Sequence, residues 1–264
     1  MTTFSYQTAL ITGASSGIGK AFAYELAKKG IKNLILTARS EDKLIEISTD
    51  IKKKYKTNIQ YISTDLTDIT SCQKIYDNLS KQNIFVDLVI NNAGFGKWTN
   101  FLDQPLNVYQ EMITLNINSL VMLNHLFLPK MLQNNKGGII NIASTGALQP
   151  CPYIAVYCAS KAFVLNFSES LHGEYKDKGI VVTAICPGNT QTNFQKTADA
   201  NTKGMSYVSP EEVAHQSITA LLKQKNNKII GLNNQLQSLL PRILPRKMII
   251  NIVKNMMRKK VVNS

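Results

Sequence analysis

Tyr157 and Lys161 stand four positions apart in the run Tyr157-Cys158-Ala159-Ser160-Lys161, so a helix there sets both side chains on one face. A tyrosine with an ordinary pKa near 10 is a poor proton carrier at neutral pH, and an adjacent ammonium favours its phenolate. Ser144 follows an apolar run that ends at Ala143, where its hydroxyl can hydrogen-bond a substrate oxygen. The three groups suit proton transfer to or from a carbonyl or alcohol oxygen while a nicotinamide moves hydride. Spacing alone does not single them out, because Tyr24-Glu25-Leu26-Ala27-Lys28 repeats it inside the first helical stretch. The Tyr157 copy differs in following a strand-end serine, on the side of an α/β sheet where ligands bind.

A second set of residues points to a nucleotide. Thr12-Gly13-Ala14-Ser15-Ser16-Gly17-Ile18-Gly19 joins the first strand to the first helix. Glycines at such a turn let the backbone close on a pyrophosphate, and the helix N-terminus offers free N–H donors. Gly13, Ser15, Ser16, Gly17, Ile18 and Gly19 are therefore candidate cofactor contacts. The same residues satisfy G-x-S-x-G, the nucleophile elbow of a serine hydrolase built on Ser15. That alternative needs an acid and one of His125, His172 or His215 brought to Ser15. About 20 residues past the glycines, an NAD-selective site places an acid on the ribose. Here the second strand ends in Ala38-Arg39, and a guanidinium at Arg39 attracts a 2′-phosphate, which predicts NADP(H).

Positioning these groups takes a repeated strand–helix pattern. Apolar β-rich runs at 8–11, 33–37, 59–63, 86–91, 138–143 and 181–186 alternate with helical stretches such as 18–29 and 41–54. Strands separated by helices of ten or more residues need crossovers, which predicts a parallel sheet covered on both faces. No repeat, low-complexity block or Pro/Gly-rich linker divides the chain. The expectation is a single-domain, doubly wound α/β catalytic unit over 1–232, with 233–264 a basic amphipathic extension and not a separate domain.

The joint pattern resembles the short-chain dehydrogenase/reductase family. It comprises TGASSGIG at 12–19, Asn91-Asn92-Ala93-Gly94, Asn116, Ser144, Tyr157-x-x-x-Lys161 and Pro187-Gly188, in order from about Gln7 to Thr192. The resemblance implies a Rossmann fold with a seven-stranded parallel sheet and an NADP(H)-dependent oxidoreductase that interconverts a carbonyl and a secondary alcohol. It implies Tyr157 as acid–base, Lys161 lowering its pKa and holding the ribose, Ser144 orienting the substrate oxygen and Asn116 supporting a proton relay. It also implies Asp65 and Leu66 at the adenine, Asn92, Ala93 and Gly94 along the cofactor, and Pro187, Gly188, Thr190 and Thr192 near the nicotinamide amide. The stretches around Tyr157 and Asn92 resemble a bacterial branch of broad or unassigned specificity. A non-catalytic NADP(H)-sensing protein is the alternative from a different class. Phe95, Trp98, Phe101, Tyr153, Met205 and Tyr207 are candidate pocket residues, which hints at a lipophilic small-molecule substrate.

Charge and cysteine usage bound the setting. The 264 residues carry 30 Lys+Arg against 17 Asp+Glu, a net +13, yet Glu212 is the last acid and ten cations follow it. That tail has no aromatic residue, so nucleic acid is not expected as a partner. No apolar run approaches the roughly 20 residues that cross a bilayer, and no secretory leader is evident. Cys72, Cys151, Cys158 and Cys186 lack CxxC pairing and read as reduced thiols of a cytoplasmic protein. In 241–260, Met248, Ile249, Ile252, Val253, Met256 and Met257 recur at helical spacing among seven cations. Two readings are balanced: a helix packed on the domain or a partner subunit, and a helix in peripheral contact with a membrane surface. Relatives that form tetramers often end in a tail segment this chain lacks; a homo-oligomer, dimer or tetramer, remains the expectation.

Overall fold

The computed structural model describes residues 4–201 and 204–261. Seven strands form it: β1 (Thr8–Thr12), β2 (Asn33–Ala38), β3 (Asn58–Ser63), β4 (Leu88–Asn91), β5 (Gly137–Ile142), β6 (Ile180–Cys186) and β7 (Asn227–Ile229). They make one sheet in the order β3-β2-β1-β4-β5-β6-β7, and every pair is parallel. β1, β4, β5 and β6 are buried at every residue, as mostly apolar strands between two helical layers must be. The six strands expected from the sequence are all present. The seventh, β7, is three residues long and pairs only with the end of β6.

The helices are α1 (Gly17–Lys28), α2 (Glu41–Lys54), α3 (Ser71–Lys81), α4 (Leu106–Ile113), α5 (Ser119–Gln133) and α6 (Ala155–Tyr175), followed by α7 (Phe194–Thr197), α8 (Pro210–Leu222), α9 (Leu232–Gln237), α10 (Leu240–Ile243) and α11 (Arg246–Val261). On one face Phe22 and Leu26 of α1, Leu44 and Ile47 of α2 and Val213 and Ile218 of α8 pack on Ile11, Leu36 and Ile90. On the other, Ile75 of α3 and Leu123 and Phe127 of α5 pack on Leu10, Val89 and Ile139.

The helix through α4 and α5 is continuous over 28 residues and, by length and mean hydropathy of 1.2, long and apolar enough to cross a membrane, so the expectation that no such stretch exists is corrected. In the fold it is a core helix: Leu120, Leu123, Phe127, Leu128 and Met131 are buried. The short polar positions Asn116, Asn118 and Asn124 break its apolar run, which hides it from a reading based on unbroken runs.

Of the two readings of the tail, packing on the domain holds for one stripe of α11. Ile249, Val253 and Met257 are buried against Cys151, Ile154 and Cys158, with Trp98, Tyr153, Tyr157 and Leu244 around them. All four cysteines are free thiols and buried.

Candidate active site

The strand order reverses between β1 and β4, and loops from both sides open a crevice at the carboxyl ends of the strands. Thr12, the last residue of β1, joins the two loops. Its hydroxyl accepts hydrogen bonds from the backbone N–H of Asn92 and of Ala93, each 2.9 Å. Asn92 returns its amide Nδ2 to the carbonyls of Thr12 (2.9 Å) and Gly13 (3.3 Å). Gly13 holds φ +63°, and a Cβ there would lie 2.8 Å from Asn92 Nδ2, so only glycine permits this approach. Gly17, at φ +50°, leaves room for Thr192, whose Cγ2 would sit 2.8 Å from a Cβ at that position. The loop after β6 thus reaches across to the glycine turn.

This cradle fits a dinucleotide. Ser16 precedes α1 in extended backbone, its hydroxyl makes no capping bond, and no acid occupies the first turn. The first-turn N–H groups, the glycine backbone and the dipole end therefore face the crevice together. Arg39 is largely exposed at 75% and pairs loosely with Asp65, 3.7 Å away. Burial pushes the Asp65 carboxyl up, but hydrogen bonds from Thr67 and the charge of Arg39 outweigh it and hold the group below the usual range. Leu66 turns into the core, so its contact with a base would be through backbone. Pro187 and Gly188 follow β6, with the Pro187 carbonyl accepting from Thr145 N at 2.9 Å. Thr190 bridges to Val208 and donates to the Gly188 carbonyl. Thr192 accepts from Phe194 N at 3.2 Å.

The candidate proton-handling groups converge beside the cradle. Ser144 follows β5 in extended backbone; its Oγ accepts from Gly146 N at 3.0 Å and makes a hydrogen bond with the Tyr157 phenol. Tyr157 and Lys161 share a face of α6, with the ammonium 5.8 Å from the phenol ring. Lys161 is buried and donates to the Ile142 carbonyl at 2.8 Å, so two of its protons remain for other partners. Burial brings its pKa down to about 8. Asn116 sits in a π-helical turn (Thr114–Asn118) between α4 and α5. Its amide is fully engaged: Oδ1 accepts from Phe95 N at 3.1 Å, and Nδ2 donates to Phe95 O and Ser160 Oγ, each 3.0 Å.

The structure differs from expectation in the ionisation of Tyr157. Burial raises its pKa, the neighbouring Cys158 adds to that, and a hydrogen bond with Ser144 pulls partly back. The phenol is held protonated. Phe101 also departs from the pocket and stacks on Tyr109, ring centroids 5.1 Å apart. Trp98 and Tyr153 do pack beside Tyr157.

Three contributors escaped the sequence reading. Thr12 had one signal, a hydroxyl ending a buried strand just before a glycine turn. Ser160, which ties Asn116 to the Tyr157 carbonyl (2.7 Å), had none beyond its place between Tyr157 and Lys161. Phe194, its ring 5.3 Å from that of Tyr157, lies in a loop without periodicity. The Tyr24 decoy is structural: its hydroxyl donates to Asp50 of α2 at 2.6 Å. The hydrolase reading fails on its histidines, since His172 bonds the Val182 carbonyl, His215 pairs with Glu25 and His125 is exposed on α5.

Comparison with known proteins agrees with this geometry. Residues 7–203 match the family model described as short chain dehydrogenase. The very-long-chain 3-oxoacyl-CoA reductase of Bos taurus is 40% identical over 192 residues, covering 71% of this chain and 61% of the relative. The chain thus spans less than two thirds of that protein's length. The Homo sapiens protein of the same description is 35% identical over 254 residues, covering 94% and 80%. Among solved structures, a short-chain dehydrogenase from Sphingobium yanoikuyae in complex with NADPH superimposes with TM-score 0.81 at 28% identity, covering 88% of this chain and 92% of that one. L-sorbose reductase from Gluconobacter frateurii, complexed with NADPH and L-sorbose, gives TM-score 0.76 at 27% identity over 87% and 97%.

Proposed function

The chain belongs to the short-chain dehydrogenase family of NADP(H)-dependent oxidoreductases, and on that premise we propose that it reduces the carbonyl of a lipophilic small molecule to a secondary alcohol. The observation that carries this reading is the meeting of Ser144, Tyr157 and Lys161 beside the glycine cradle, with the tyrosine held protonated. A buried neutral phenol is a proton donor, which is what a carbonyl oxygen needs as hydride reaches its carbon. Bound NADPH supplies that hydride.

The residues divide the rest of the work. Gly13, Ser15, Ser16, Gly17, Ile18 and Gly19 hold the pyrophosphate on backbone and hydroxyl groups at the start of α1. Arg39 takes the 2′-phosphate, exchanging its loose contact with Asp65 for a shorter, charge-assisted one. Asp65 and Leu66 face the adenine, Asn92, Ala93 and Gly94 the middle of the cofactor, and Pro187, Gly188, Thr190 and Thr192 the nicotinamide. Ser144 donates to the substrate oxygen, Tyr157 gives that oxygen its proton, and Lys161 offers its free N–H groups to the ribose and to the phenolate that remains. Asn116 acts through others: it pins Phe95 and Ser160, and so the loop after β4 to α6.

Relatives described as very-long-chain 3-oxoacyl-CoA reductases and the apolar wall of Trp98, Tyr153 and Phe194 make a 3-oxoacyl thioester the first substrate to test. We place the enzyme in the cytoplasm, peripheral to a membrane, as a homo-oligomer; exposed Leu106 and Ile113 on α4 and Phe163 on α6 support the subunit contact. The test is NADPH oxidation against a panel of 3-oxoacyl-CoA esters of rising chain length, steroid ketones and sugars. Turnover that rises with chain length supports the reading. Consumption of sugars alone overturns the substrate class, and no consumption with any ketone overturns the activity.

A further inference from the structure

The C-terminal extension is amphipathic in two directions. One stripe of α11 (Ile249, Val253 and Met257, four residues apart) is buried behind Tyr157. A neighbouring stripe with the same spacing, Met248, Ile252 and Met256, is about half exposed. Upstream, Leu232, Leu236, Leu239, Leu240 and Ile243 of α9, α10 and the turn between them are exposed as well, the first and last at 78% and 77%. Eight of the seventeen exposed large hydrophobic residues among those described thus fall between 232 and 256. A concentration of this kind marks an interaction surface.

Charge decides what covers it. Arg242, Arg246, Lys247, Lys254 and Arg258 are exposed in the same segment, and no acidic residue follows Glu212. A second copy laid on this face would bring like charges together with no carboxylate between them. A nucleic acid would meet the cations and leave the leucines in water. An anionic lipid surface satisfies both, with phosphates for the cations and an acyl boundary for the apolar stripe.

We propose that α9–α11 dock this face on an anionic lipid surface. Because the neighbouring stripe of α11 is the wall behind Tyr157, docking sets the active site at the lipid boundary, where a long-chain substrate is concentrated. The docking stands on the surface alone; the delivery of substrate rests on the function proposed above.

The test is sedimentation of the full-length protein with phosphatidylcholine vesicles prepared with and without phosphatidylglycerol. The expected result is binding to the phosphatidylglycerol vesicles only, weakened by salt. Lys247→Gln, Lys254→Gln and Arg258→Gln together are expected to lower partitioning on the order of 100-fold. Ile252→Ser with Met256→Ser is expected to abolish binding while melting temperature and turnover of a short water-soluble ketone stay unchanged, since both side chains face outward. Equal indifference of the unmodified protein to both vesicle types overturns the proposal. So does dissociation of an oligomer by Ile252→Ser with Met256→Ser, which identifies the face as a contact between copies. Vesicle binding by a protein that reduces no ketone leaves docking intact and sinks the catalytic reading, so the two fail separately.

Discussion

Replacing Tyr157 with phenylalanine keeps the ring against Phe194 and removes the proton, so kcat is expected to fall about 10²–10⁴-fold with NADPH affinity unchanged. Steady-state kinetics and a nucleotide titration check both halves. Tyr24→Phe, which loses one bond to Asp50, is expected to keep full turnover and to cost about 1 kcal/mol in denaturant unfolding. Lys161 adds a pH signature. Its pKa is brought down to about 8, so the ammonium proposed to steady the phenolate is present below that value and lost above it. Tyr157 is shifted upward and stays protonated through the same range. The pH profile of kcat/KM for reduction is therefore expected to be flat below about 8 and to fall above it, and Lys161→Arg is expected to move the fall to higher pH. Arg39→Ala is expected to raise KM for NADPH on the order of 10–100-fold and to leave KM for NADH alone, since the side chain is largely exposed and only loosely paired with Asp65. The identities of Ser144, Tyr157 and Lys161 were legible because their spacing is local to one strand end and one helix. The ionisation of the pair was not, because what desolvates it comes from distant parts of the chain.

Among the elements, the π-helical turn and the loop after β4 form one unit. A Cβ on Gly94 would lie 2.8 Å from Asn116 Oδ1 and 3.3 Å from Lys161 Nζ, both fixed by other bonds. Gly94→Ala is therefore expected to cost about 1–3 kcal/mol of stability by overpacking and to lower kcat more than its effect on KM, read by thermal melts and kinetics. Of the six longer strands, β1, β4, β5 and β6 were legible as mostly apolar runs because they are buried throughout, whereas β3, at the sheet edge with no buried residue, was legible from Ile59, Tyr61 and Ile62. β7 was not: Asn227-Lys228-Ile229 has one apolar residue and exists because the end of β6 offers it a ladder. α11 was legible as a helix but not in its orientation. Its two apolar stripes are chemically alike, and only the surface left by Cys151, Ile154 and Cys158 selects the one that turns inward.

For the whole molecule, the doubly wound sheet brings Gly13, Asn92, Ser144 and Gly188 to one edge, and the chain then returns to close over it with α11. The four buried thiols make that closure measurable in time. Cys72 lies on the buried face of α3 and Cys186 in β6, within the sheet layers, whereas Cys151 and Cys158 lie under α11. A mutual hydrogen bond lowers the pKa of Cys151 and raises that of Cys158 in the closed state. An alkylating reagent such as iodoacetamide reaches each sulfur only in the moments when its surroundings open. Peptide mapping by mass spectrometry is expected to find Cys151 and Cys158 modified well before Cys72 and Cys186. Equal rates at all four would mean that α11 leaves only when the entire fold does. With unequal rates, the early pair acts as a clock: at reagent concentrations where its labelling rate no longer rises, that rate is the rate at which the wall behind Tyr157 opens, timed without a substrate or a cofactor in the tube.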